Sequence, residues 1–90
     1  MILHVVEAQY DHDYVVRVTF NDGAEGFVDL AAELYGEMFA PLRDPEKFKA
    51  FRVDPELCTL VWENGADFAP EFLRDRLLVP VEPTPPADKP

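Results

Sequence analysis

Ninety residues with 18 acidic and 8 basic side chains, a net charge of −10, describe one small domain whose surface repels nucleic-acid phosphates and anionic membranes. No Lys/Arg cluster reverses that field locally. A hydrophobic share of 48%, with 12% aromatic residues, is enough for a core and excludes a wholly disordered chain.

Three strands are expected first. Residues 2–10 and 14–20 are rich in β-branched and aromatic side chains and are divided by Asp11-His12-Asp13. A third strand runs from Ala24 to Leu30 after Asn21-Asp22-Gly23. A two-residue turn on Asp22-Gly23 would pair Phe20 with Glu25 and Val16 with Asp29. A type I turn over Asn21-Asp22, with Gly23 left-handed in a bulge, pairs Phe20 with Ala24, Val18 with Gly26, Val16 with Val28 and Tyr14 with Leu30. The bulged register puts every apolar residue on one face and Arg17 between Glu25 and Asp29 on the other. Because a one-residue slip flips whole faces, this register is the expected one.

The middle of the chain reads as short helical pieces. Leu30 to Tyr35 form a turn or two of helix stopped by Gly36. Met38-Phe39-Ala40-Pro41-Leu42 is an irregular apolar segment beneath the sheet. Residues 44–51 form the clearest helix, with Asp44 as cap, Pro45 in the first position, Glu46 near the positive end, and Phe48 and Phe51 on one side. Arg52-Val53 is extended, Asp54-Pro55-Glu56 turns, and a strand runs from Leu57 to Glu63. Asn64-Gly65 suits a two-residue type I′ turn, which sets Trp62 opposite Asp67 and Val61 opposite Phe68. Pro70 then opens a helical turn carrying Phe72 and Leu73, and the Asp67 carboxylate is expected to accept backbone N–H groups around Ala69 to Glu71.

These elements add up to a single α+β domain over residues 1–79: a mostly antiparallel sheet of about five strands with two or three short helices. Residues 80–90, with Pro80, Pro83, Pro85, Pro86 and Pro90, read as an extended or disordered tail. The expected core is Val16, Val18, Phe20, Val28, Leu30, Phe39, Leu42, Phe48, Phe51, Leu60, Trp62, Phe72 and Leu73. So small a core, with sheet edges to cover, is compatible with a homo-oligomer.

Motifs that carry chemistry are scarce. Cys58 stands alone, so no internal disulfide forms; at the head of a strand it reads as a small hydrophobe with no base beside it. The first residues carry no basic segment followed by a long apolar run, so a cytoplasmic location is expected. Asp11-His12-Asp13 is too compact to converge on one metal ion, and no second cluster accompanies it. The sequence holds no phosphate-binding glycine loop and no nucleophile elbow. Neither an enzyme nor a cofactor is expected.

Phe20-Asn21-Asp22-Gly23, Val28-Asp29-Leu30, Met38 through Asp44, Phe48, Val53-Asp54, Leu60-Val61-Trp62 and Asn64-Gly65-Ala66-Asp67 together resemble the DUF2442 family of small bacterial proteins. The likeness covers the chain up to about Arg74, and the segment from Trp62 to Asp67 is its most specific part. The resemblance implies a small α+β fold with no established enzyme activity or cofactor. It also implies antitoxin-like partner proteins encoded beside a second small domain. Some members carry a DNA-binding helix-turn-helix after this module; the Pro-rich end departs from that form, so direct nucleic-acid binding is not expected. Two readings follow. One is a non-enzymatic protein-interaction module with a basic, toxin-like protein partner and no membrane role. The other is a small-ligand or enzymatic domain with a cleft near Trp62, Asp67 and Arg43. The candidate residues are Trp62, Asn64, Gly65, Asp67 and Arg43.

Overall fold

A computed structural model describes residues 2–78. The tail expected over residues 80–90 lies outside the described residues. Three strands, β1 (Val5–His12), β2 (Val15–Phe20) and β3 (Glu25–Asp29), form one antiparallel sheet in the order β1-β2-β3. Two short strands, β4 (Arg52–Asp54) and β5 (Thr59–Val61), form a second antiparallel pair. Between the sheets lie α1 (Gly36–Phe39) and α2 (Pro45–Phe48), with 3-10 turns over Ala31–Glu33 and Ala40–Arg43; α3 (Pro70–Asp75) follows the second pair. The five strands and three short helices are those of the expected α+β class. The strands divide into two sheets, joined where the Val5 N–H donates to the Cys58 carbonyl at 2.9 Å.

The β2–β3 register is the bulged one. Val16 faces Val28, Val18 faces Gly26, and the Phe20 N–H donates to the Ala24 carbonyl at 2.9 Å. Gly23 sits at φ 91°, the left-handed position that only glycine occupies without strain. Arg17 reaches Glu25 at 3.0 Å on the outer face, while Asp29 turns away to accept the Ala31 N–H. Two apolar residues break the one-face pattern, Val15, which is paired with Asp29, and Phe27. Phe27 stands opposite Arg17 on the outer face, 36% exposed, and its outward carbonyl accepts the Leu78 N–H at 2.7 Å. That bond partly covers the β3 edge.

Element ends depart from the sequence reading for local reasons. β1 starts at Val5 because the Asn21 amide grips the preceding segment, accepting from the His4 N–H and donating to the Ile2 carbonyl. It runs on to His12 through a register shift after Tyr10, and the chain reverses at Asp13, whose φ of 45° is one that aspartate tolerates. Gly36, at φ 84°, both stops the preceding turn and opens α1. The segment from Met38 to Leu42 is therefore helical and not irregular; only Leu42 of it is fully buried, and Met38 is exposed. α2 keeps its Asp44 cap on the Glu46 N–H but ends at Phe48, three residues before the expected end.

The strand expected from Leu57 begins only at Thr59. The Asp54 carboxylate accepts the N–H groups of Glu56 at 2.7 Å and Leu57 at 3.1 Å, and this side-chain competition for the backbone prolongs the turn. Cys58 consequently lies in a turn at φ 59°, half-buried, and not at the head of a strand.

Of the thirteen expected core residues, ten are buried and Phe39, Phe51 and Phe72 are half-buried against them. Val5, Leu34, Ala66 and Phe68 join the core in addition. Eight rings form one connected set. Phe48 packs against Tyr10, Tyr14, Phe51 and Trp62, and Phe68 packs against Phe39, Trp62 and Phe72. Trp62 joins the two groups, so the second hairpin is bolted to both helical pieces through one side chain.

Candidate functional site

The segment from Trp62 to Asp67 repeats the geometry of the first hairpin. The Gly65 N–H donates to the Trp62 carbonyl at 2.9 Å and the Trp62 N–H to the Ala66 carbonyl at 2.9 Å. In the first hairpin, the Gly23 N–H donates to the Phe20 carbonyl at 3.0 Å and the Phe20 N–H to the Ala24 carbonyl at 2.9 Å. The side-chain clasps match as well. Asn64 Oδ1 accepts the Ala66 N–H at 3.0 Å, and Asp22 Oδ1 accepts the Ala24 N–H at 3.0 Å. Phe20-Asn21-Asp22-Gly23-Ala24 and Trp62-Glu63-Asn64-Gly65-Ala66 are thus two copies of one turn.

This overturns the two-residue turn expected at Asn64-Gly65. A type I′ turn requires positive φ at both central residues, and only Gly65, at 90°, has it. The three-residue loop sets Asp67 opposite Val61, one position away from the expected pairing with Trp62. The consequence for Asp67 is direct: its side chain points to solvent, and α3 has no side-chain cap. Substituting Gly23→Ala or Gly65→Ala is expected to cost about 1–2 kcal/mol each, the strain of a left-handed L-residue. A Cβ meets nothing within 4 Å at Gly23 and Met38 Cε at an ordinary 3.6 Å at Gly65, so strain alone sets both costs. Urea denaturation of the two variants checks this, and a large inequality between them would contradict the shared turn.

Trp62 is 3% exposed, and its indole Nε1–H donates to the Phe48 carbonyl at 2.8 Å. Asn64 lies on the surface and donates through Nδ2 to the Met38 carbonyl at 2.9 Å, fastening the turn to α1. Beside them opens a cleft of about 640 Å³. Pro41, Leu42, Ala50 and Trp62 line its apolar side, and Asp44, Glu46 and Glu63 line it as acidic residues with a single basic one, Lys47. Asn64 completes the rim. Tyr35 and Met38, 64% and 45% exposed, stand on the same helical segment that Asn64 grips.

Of the candidate residues, the structure brings Trp62, Asn64 and Gly65 together in the turn beside this cleft. Arg43 and Asp67 do not line it. Arg43, exposed, reaches back along the chain, its Nε donating to the Leu34 carbonyl at 2.6 Å while its own carbonyl accepts the Tyr14 hydroxyl. The cleft side of α2 was missed in the sequence. Helical spacing gave no signal for it: Lys47 stands four residues before Phe51, which puts the two on one side of a helix, so the pattern does not separate a cleft face from the core.

Perturbed ionisations lie away from the cleft and hold turns together. Backbone N–H groups, from Ala24 onto Asp22 and from Leu57 and Glu56 onto Asp54, lower both carboxyl pKa values, with Arg74 and Arg52 adding to the effect. The folded chain therefore binds fewer protons than the unfolded chain just below the ordinary aspartate value of 3.8. This stabilisation is complete above 3.8 and is lost as pH falls through the folded values. His12 behaves oppositely. Its hydrogen bond to Asp11 raises its pKa above 6.5, so its contribution is complete below 6.5 and is lost as pH rises through the folded value. Urea midpoints against pH are expected to fall on the acid side, with Asp22→Asn and Asp54→Asn flattening that fall. Among the described residues, no group of three or more His, Cys, Asp or Glu side chains is placed to hold a metal ion.

Fold and site define a small α+β domain of two antiparallel hairpin units, stitched by an aromatic core and carrying an acid-rimmed cleft. The chain belongs to the family described as "Protein of unknown function (DUF2442)", whose model matches residues 5–85. The match runs past Arg74, the expected end of the likeness. No curated protein and no solved structure matches the chain. No helix among the described residues is long and apolar enough to cross a membrane.

Proposed function

We propose that the chain is a non-enzymatic protein-interaction module, an antitoxin-like partner of a protein encoded by a neighbouring gene, and that its binding face is the cleft beside Trp62. The observation that carries this reading is the coupling of apolar surface to acidic charge at one place. Met38, exposed, is joined through its carbonyl to Asn64 on the rim of a cleft with an apolar wall and three carboxylates against one lysine. A basic segment with one or two apolar side chains fits such a face, and a net charge of −10 steers a basic partner toward it while repelling phosphates. Co-purification with the neighbouring gene's product tests the proposal. Association weakened by Glu46→Lys and Glu63→Lys is the expected result, and a product that stays unbound at micromolar concentration sinks it.

A second reading is favoured by the size of the cleft. Its volume of about 640 Å³ falls in the range of small-molecule sites, and Trp62 and Asn64 line it. A metabolite screen by thermal shift and Trp62 fluorescence decides between the two; a flat response leaves only the protein partner.

A further inference from the structure

We propose that Asn64 is a site of spontaneous covalent modification, deamidation through a cyclic imide, and that the folded turn holds this reaction in check. Glycine offers the following peptide nitrogen the least hindrance, because it has no Cβ. In the reaction the Gly65 amide nitrogen gives its proton to a solvent base and forms a bond to Asn64 Cγ. The Cγ–Nδ2 bond breaks, and Nδ2 takes up a proton and leaves as ammonia. Water then opens the imide at either carbonyl, giving aspartate or isoaspartate. One water enters and one ammonia leaves, with no change of oxidation state.

Each atom that must move is tied in the folded chain. The attacking Gly65 nitrogen donates to the Trp62 carbonyl at 2.9 Å. The side-chain oxygen is held by the Ala66 N–H at 3.0 Å, and the leaving nitrogen by the Met38 carbonyl at 2.9 Å. Reaction therefore requires the turn to open locally, and its rate follows the population of the open turn. The only other asparagine, Asn21, serves as an internal control. It precedes Asp22, whose side chain hinders the same attack, and its amide is held by His4 and Ile2.

The product changes the molecule at two points. A carboxylate in place of Nδ2 faces the Met38 carbonyl, so a donor is lost and the hold on α1 is released. The same event places a further negative charge on the lining of the cleft, which Asn64 shares with Asp44, Glu46 and Glu63. The inference does not depend on any partner, because it is read on the isolated chain.

The test incubates the full chain, folded and in urea, in mildly alkaline buffer and follows each asparagine by peptide mass mapping. The expected result is a gain of one mass unit at Asn64 and none at Asn21, with the folded chain reacting at least about tenfold more slowly than the unfolded one. The folded rate is expected to track hydrogen exchange of the Gly65 amide. Equal rates in the two states would overturn the protection, and an Asn64 that stays intact in urea would overturn the site. In Asn64→Asp, Gly65 exchange is expected to quicken several-fold as the Met38 bond is lost; unchanged exchange overturns the role given to that bond.

Discussion

Trp62→Ala is expected to remove about 3–5 kcal/mol of folding free energy, the cost of emptying a fully buried large aromatic site. The indole is 3% exposed and joins two ring groups that otherwise do not touch, through Phe48 and Phe51 on one side and Phe68 on the other. Truncation also strands the Phe48 carbonyl, which loses the Nε1–H donor inside the core, a defect worth about 1–3 kcal/mol in its own right. A domain of this length holds about 5–15 kcal/mol in total, so the variant lies near the edge of folding. Trp62→Phe restores most of the packing but not the donor and is expected to lie between the two. Urea denaturation followed by circular dichroism measures all three chains. A Trp62→Ala chain as stable as its parent would place the indole at the surface and make it a binding residue.

The first hairpin was legible in the sequence because facial segregation and turn chemistry agreed there. Only the bulged register put Val16, Val18, Phe20, Val28 and Leu30 together, and all five are buried. The second hairpin was misread because its strands are too short to vote. β5 has three residues, all buried, and the returning strand amounts to a single bridge from Val61 to Asp67, so alternation gave no check on the turn. The deciding information was the side chain of Asn64, whose bond to the Ala66 N–H is the same clasp that Asp22 makes. Recognising that Trp62 to Ala66 repeats Phe20 to Ala24 would have carried the first register into the second. The helical middle was legible at the turn that Gly36 stops and at Asp44-Pro45, where cap and proline signals coincide. Between Gly36 and Arg43 the chain turns in four-residue pieces, too short for periodicity to build up. Within the site, Trp62, Asn64 and Gly65 were found through turn chemistry. Asp67 was drawn in by the wrong register and Arg43 with the segment that carries the family resemblance, and neither lines the cleft. The acidic rim was hidden because eighteen carboxylates spread along a chain do not reveal which of them share a cleft.

Phe48→Ala is expected to match or exceed the cost of the tryptophan truncation, at about 3–5 kcal/mol, although Phe48 is the smaller side chain. It is fully buried, with ring neighbours on every side: Tyr14 at 5.2 Å, Trp62 at 5.8 Å, Tyr10 at 6.2 Å and Phe51 at 6.4 Å between centroids. Two of those rings belong to the three-stranded sheet side and two to the second half of the chain, so the cavity opens where the two halves meet. Each edge-on or tilted ring pair adds about 0.5–1.5 kcal/mol beyond area burial, and four are lost at once. Phe72→Ala gives the contrast: that ring is half-buried between Phe68 and Arg76, and its loss is expected to cost clearly less. Because Phe48 and Trp62 touch, their truncations should not add. A double-mutant cycle is expected to show a coupling of about 0.5–3 kcal/mol, the double variant being less unstable than the sum of the singles. If the double variant is too unstable to fold, Phe48→Leu with Trp62→Phe measures the same coupling in milder form. Strict additivity in that pair would show that the two ring groups are separate cores, and that Trp62 is not the joint through which the second hairpin holds the helices.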